Sequence, residues 1–212
     1  MKLTKEVKER LSELLKEGHY YIGGYNWINP DYQNKLLENL HVLEFSLLYP
    51  HILCLLHEEG LIHIEDEYNV IKYYLENKER LKETDKSEYD IKRTKVNSLY
   101  GRFAHNKSTH PVIALISEYC SILYDRLLLQ HKDKVVHIDT DRIISTEEIT
   151  IDDCAIPFER NIIKFGLFKG IKYFVTFDGE YFKTMSSYSK KNILVSDIKH
   201  LIRERNLDKL DL

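Results

Sequence analysis

A chain of 212 residues with 43% apolar and 31% charged side chains is able to bury a core, which excludes a disordered tail. Its net charge of -3 excludes a global pull on nucleic acid, so any polyanion-binding surface is expected to be local. Cys54, Cys120 and Cys154 are far apart and odd in number, which argues against a disulfide framework or a cysteine zinc site and fits a reducing interior.

The charged start MKLTKEVKERL lacks the apolar core of a signal peptide, and no apolar run approaches a membrane span. A soluble, cytoplasmic protein is therefore expected. Thr4 as cap, the stripe Val7, Leu11, Leu14 and Leu15, and the stop at Gly18 predict a helix over 4–17. A polar loop, YYIGGYNWINPDYQN, follows. The string HVLEFSLL reads as a buried strand over 41–48, Pro50 to Glu59 as a short helix ended by Gly60, and 61–64 as a strand. Segments 66–84 and 87–103 predict a helical hairpin. Pro111 then falls near the first position of a helix over 111–130, with Ser108 or Thr109 as cap. VVHIDTDRIIS predicts a β-hairpin with Asp139-Thr140-Asp141 at its tip, and a second hairpin spans 171–184, turning at Asp178-Gly179. Ser196 is expected to cap a final helix to about 205. With no internal repeat or linker, these elements describe one α+β unit.

Three features carry chemistry. Alternation puts the carboxylates of Asp139 and Asp141 on one side of a strand or turn, where they repel unless a hard cation lies between them. Mg²⁺ suits such oxygen ligands, although a lone D-x-D also occurs in ordinary turns. Glu44 is an acidic side chain in an otherwise apolar strand, either an edge residue facing water or a partner of the D-T-D tip. Arg93, Asn97 and Tyr100 recur at i, i+4 and i+7 and share a helix face flanked by Lys92 and Lys95. Such a face is a solvated basic surface or a cradle for a triphosphate.

The exact strings favour the functional reading in each case. KVNSLYGRFAHN resembles the family B DNA polymerase motif K-x-x-x-N-S-x-Y-G, LEFSLLYPHI resembles D-x-x-S-L-Y-P-S-I, and HIDTDRI resembles Y-x-D-T-D-S-I. Upstream, Tyr21-Ile22-Gly23-Gly24 resembles Y-x-G-G, and YYIGGYNWINPDY looks like the protein-primed branch. Downstream, FKGIKYFVTFDGEYF is similar to the segment holding K-x-Y. The five segments keep the family's order across roughly residues 20–185.

The resemblance implies a palm-like antiparallel sheet with flanking helices. A short helical-hairpin fingers segment, about 66–103, would be inserted between palm segments 19–65 and 104–190, with a C-terminal helix in 191–212. It implies that Asp141, Asp139 and Glu44 bind two Mg²⁺ (or Mn²⁺) ions and carry nucleotidyl transfer. Arg93, Lys92, Asn97, Tyr100 and Tyr49 would line the nucleotide pocket. Tyr21, Gly23 and Gly24 would touch the template, and Lys172 and Tyr173, or Lys169, the primer. The implied partners are a DNA primer-template, a dNTP, and a terminal protein or other replication protein. The chain is too short to include an exonuclease domain or most of a thumb, so weak processivity is expected.

Departures from the motifs are specific. Glu44 stands for Asp, Leu47 and His51 for Ser, Arg93 for Lys, His137 for Tyr and Arg142 for Ser. Three readings stay open: a minimal template-directed polymerase, a catalytically impaired, polymerase-derived DNA-binding or accessory protein, or, setting the resemblance aside, an unrelated α+β interaction domain with an incidental D-T-D turn.

Overall fold

The computed structural model describes residues 2–18, 23–105, 110–151, 154, 156–185 and 188–204. Two compact units divide the chain: residues 1–24 with 47–125, and residues 25–46 with 126–212. No helix among the described residues is long and apolar enough to cross a membrane.

The first unit is helical. Helix α1 (Lys5–Glu17) is capped by Thr4, whose Oγ1 accepts from the Val7 amide, and it ends at Gly18 in the left-handed region. Val7, Leu11 and Leu14 are its buried stripe. Helix α2 (Leu48–Glu58) buries Ile52, Leu53, Leu55 and Leu56. The stretch 61–64, expected as a strand, is not one: it links α2 to α3 in irregular backbone, and its apolar signal reflects the burial of Ile62 and Ile64. Helices α3 (Glu65–Thr84) and α4 (Lys86–His105) form the expected hairpin. Its turn is held by Asp85, whose carboxylate accepts from the Glu88 amide at 2.9 Å. Helix α5 (His110–His131) belongs to this unit as far as Asp125, and the candidate caps Ser108 and Thr109 lie outside the described residues.

The second unit is an antiparallel sheet of seven strands in the order β1-β3-β4-β2-β5-β6-β7. Their ranges are β1 Asn26–Ile28, β2 Leu36–Phe45, β3 Val135–Asp139, β4 Arg142–Ser145, β5 Phe158–Gly170, β6 Tyr173–Phe177 and β7 Phe182–Met185. Both predicted hairpins are present as β3–β4 and β6–β7. The fold is thus α+β, with a palm-like antiparallel sheet. Three expectations need correction. The loop read over 20–34 contains β1, which pairs with β3, and a 3-10 turn at Pro30–Tyr32. Strand β2 starts at Leu36 and ends at Phe45, because Leu48 already belongs to α2. Helix α6 runs Tyr188–Glu204, so Ser196 lies in its interior rather than at its cap.

Two apolar clusters anchor this sheet. Leu194, Ile198 and Ile202 of α6, spaced by four, pack with Leu36, Phe165, Leu167, Val175 and Phe177. Leu40, Val42, Val136, Ile144, Ile163, Phe168 and Phe174 form the second cluster. Simple alternation would place Leu36 and Leu40 together. Asn39, at φ 52°, interrupts that alternation, and asparagine tolerates the left-handed region.

Candidate functional site

The D-T-D turn is built by β3 and β4. Asp139 closes β3, Thr140 turns through φ 59°, Asp141 follows, and Arg142 opens β4 opposite Asp139. The turn is tied on both sides: Thr140 N–H donates to the Tyr25 carbonyl at 2.9 Å, and Phe45 N–H donates to the Asp141 carbonyl at 2.8 Å. The second bond joins the turn to the end of β2. Glu44 there lies in register with Arg142 of β4. Strand pairing therefore brings Glu44, Asp139 and Asp141 together although they are distant in sequence. All three line an open cleft of about 400 Å³, with Arg142, Lys172, Phe174 and the β7 residues Lys183, Thr184 and Met185.

The carboxylates are not left to repel one another. Arg142 donates from Nε and Nη2 to Glu44 Oε2, at 3.2 and 2.8 Å. Lys172 is ion-paired with Asp139. The Asp141 residue is open to solvent, yet its carboxyl is held above the usual carboxylate range. Desolvation is the main cause, repulsion by Glu44 and Asp139 adds to it, and its own backbone N–H and Arg142 offset part of it. His137 is fully buried behind the turn, packed against the rings of Phe168 and Phe174. Burial holds its imidazole below the ordinary histidine range.

Among the described residues, no three acidic, histidine or cysteine side chains converge closely enough to enclose a metal ion. Arg142 is paired with Glu44 and Lys172 with Asp139. The donor set nevertheless fits a hard divalent cation. It offers carboxylate oxygens of Glu44, Asp139 and Asp141, from neighbouring strands and the turn between them, to one cleft. Each pair has one exposed and one mostly buried partner: Glu44 is 43% accessible against 23% for Arg142, and Lys172 50% against 12% for Asp139. A doubly charged ion competes with these single charges for the same carboxylate oxygens.

The other residues singled out from the sequence divide between the units. In the first unit, Tyr49 and Tyr100 stack with centroids 4.3 Å apart and planes inclined by 23°. Arg93 and Asn97 are exposed on α4. Lys92 is engaged on the helix surface, pairing with Glu88 at 3.4 Å and lying 4.3 Å from the Tyr73 ring centroid. Gly23 is held by Ser117, whose hydroxyl donates to the Gly23 carbonyl and accepts from its amide. Gly24 follows it, and Tyr21 lies outside the described residues. In the second unit, Lys169 is paired with Asp197 of α6, and Tyr173 packs against the cluster beneath that helix. Only Lys172 of the K-x-Y candidates lines the cleft. Sequence reasoning missed Lys183 and Phe174. The sole signal for Lys183 is its place in the 171–184 hairpin.

No family model matches the chain, and no curated protein does. Among solved structures it is similar to phi29 DNA polymerase in an orthorhombic crystal form, with a TM-score of 0.59 and 13% identity over 88% of this chain and 54% of that one. The fold is polymerase-like. Phi29 DNA polymerase complexed with primer-template DNA and incoming nucleotide substrates gives 0.59 and 11% identity over 92% of this chain and 57% of that one. The family B DNA polymerase of the hyperthermophilic archaeon Pyrobaculum calidifontis gives 0.51 and 14% identity, covering 97% and 38%. The chain spans about half the length of the phi29 chains it matches. Identities this low carry the fold and not the chemistry.

Proposed function

We propose that the chain performs template-directed nucleotidyl transfer on a DNA primer-template, with Asp139, Asp141 and Glu44 binding two Mg²⁺ or Mn²⁺ ions. The observation that carries this reading is the register of β2, β3 and β4, which gathers the three motif carboxylates into one cleft. When bound, paired divalent cations activate a primer 3′-hydroxyl and offset charge on the leaving pyrophosphate. Lys172, half-exposed beside Asp139, supplies a cation for the primer's terminal phosphate, and Lys183 a further one along the same cleft. Arg93 and Lys92 bind the triphosphate, Asn97 and Tyr100 contact the nucleotide, and Tyr49, stacked on Tyr100, packs under its sugar. Tyr21, Gly23 and Gly24 contact the template strand, and Lys169 and Tyr173 support the primer segment from beneath α6. A dNTP is the second substrate, and a terminal protein or other replication protein is the partner that the protein-primed motifs suggest. The cytoplasm of the host cell is the proposed site of action.

Primer extension with Mg²⁺ or Mn²⁺ tests the proposal. Wild type adds nucleotides to the primer, and Asp141→Ala adds none. A second reading is favoured by the ion pairs Arg142–Glu44 and Lys172–Asp139: a polymerase-derived protein that binds primer-template without turnover. It requires salt-dependent DNA binding that Asp141→Ala leaves unchanged, together with no extension under either metal.

A further inference from the structure

We infer that Arg142 and Lys172 act as built-in counter-cations that compete with divalent metal for Glu44 and Asp139 and set the metal concentration at which the site loads. The inference rests on the proposed function and concerns residues that the motif carboxylates do not include. Arg142 lies directly opposite Glu44 in the β2–β4 register, so pairing needs no distortion of the backbone. Its guanidinium turns two donors, Nε and Nη2, onto the single oxygen Oε2. Lys172 reaches Asp139 from the turn between β5 and β6, and that turn is itself held by the buried His137, which donates to the Ile171 carbonyl. The two tethered cations thus meet two of the three carboxylates of the cleft. Loading exchanges both pairs: the cation takes the carboxylate oxygens, while the guanidinium and ammonium turn into the cleft, where phosphate oxygens of a nucleic acid or nucleotide are suitable new partners.

Mn²⁺ titration of the full chain, without DNA or nucleotide, followed by the electron paramagnetic resonance signal of free Mn²⁺, tests the inference. Arg142→Ser and Lys172→Ala are each expected to tighten Mn²⁺ binding on the order of ten-fold, from the repulsion of a unit charge on a divalent ion a few ångströms away in water. Arg142→Lys, which keeps the charge, stays nearer to wild type than Arg142→Ser. Should Arg142→Ser fail to fold, Lys172→Ala decides alone, because Lys172 is a half-exposed turn residue. Unchanged or weaker Mn²⁺ binding in the folded variants overturns the inference while Mn²⁺ still binds wild type in a manner that Asp141→Asn abolishes. If wild type and variants alike bind no Mn²⁺ that depends on Asp141, the metal-site reading under the proposed function fails, and the inference with it.

Discussion

His137 and Ile171 are joined across the curl of the sheet: the imidazole Nε2–H donates to the Ile171 carbonyl at 2.8 Å. Strand β3 and the β5–β6 turn are separated in strand order by β4 and β2, so this bond records how far the sheet folds on itself. A carbonyl only accepts, hence Nε2 carries a proton, and burial favours the neutral ring. His137→Phe fills similar space but removes the donor, and is expected to cost about 1–3 kcal/mol in denaturant unfolding.

The same residue predicts a pH dependence. Burial lowers the folded pKa of His137 below the ordinary value of 6.5. As pH falls through that value, the unfolded chain takes up a proton that the folded protein resists, so stability declines. Above it, both states are neutral and the effect vanishes. Chemical denaturation of wild type and His137→Phe between pH 7.5 and 5.5 should show the wild-type advantage shrinking toward acid; a constant difference contradicts the assignment.

Tyr49 follows the first motif strand and Tyr100 lies on α4, and their rings are stacked. Aromatic pairs of this kind contribute about 0.5–1.5 kcal/mol beyond simple burial. A double-mutant cycle with Tyr49→Ala and Tyr100→Ala is expected to return a coupling of that size in unfolding free energy. Additive losses would show that the stack has no energetic role.

Gly166 lies on β5 with no room for a side chain. A Cβ there would lie 2.7 Å from both Leu40 Cδ1 and Phe168 Cε2. Both neighbours are fully buried, so neither side chain has room to swing away. Gly166→Ala should therefore lose about 1–3 kcal/mol by overpacking, measured as a lower denaturant midpoint at constant slope.

Burial also governs the thiols. It pushes Cys54 and Cys120 up to about 12 and raises Cys154 above its usual range. Since the thiolate is the nucleophile, alkylation by iodoacetamide at pH 8 is expected to be slow for all three in the native protein and fast in urea. Rapid native labelling of Cys120 would be inconsistent with its position in the core.

Local chemistry made much of this protein legible from its sequence. Thr4 and Gly18 bracket α1, whose buried Val7, Leu11 and Leu14 follow a 3.6-residue period, and the D-T-D string sits at a two-residue turn between β-rich halves. These signals lie within a few residues of one another, so no knowledge of the rest of the chain is needed. Strand β5 left no comparable mark. Ile162 is half exposed and Ile163 and Phe165 belong to different clusters, so the alternation that identifies a strand is broken. Strand β1 is held by backbone pairing with β3, which carries no side-chain signature. What the tertiary structure alone decided is the charge state of the site. Asp139, Asp141 and Glu44 are visible as acidic residues, but the cross-strand register that sets Arg142 on Glu44, and the curl that brings Lys172 to Asp139, arise from pairings 98 and 33 residues apart. Contacts over such separations depend on where the whole sheet closes, and a motif records only its own neighbourhood.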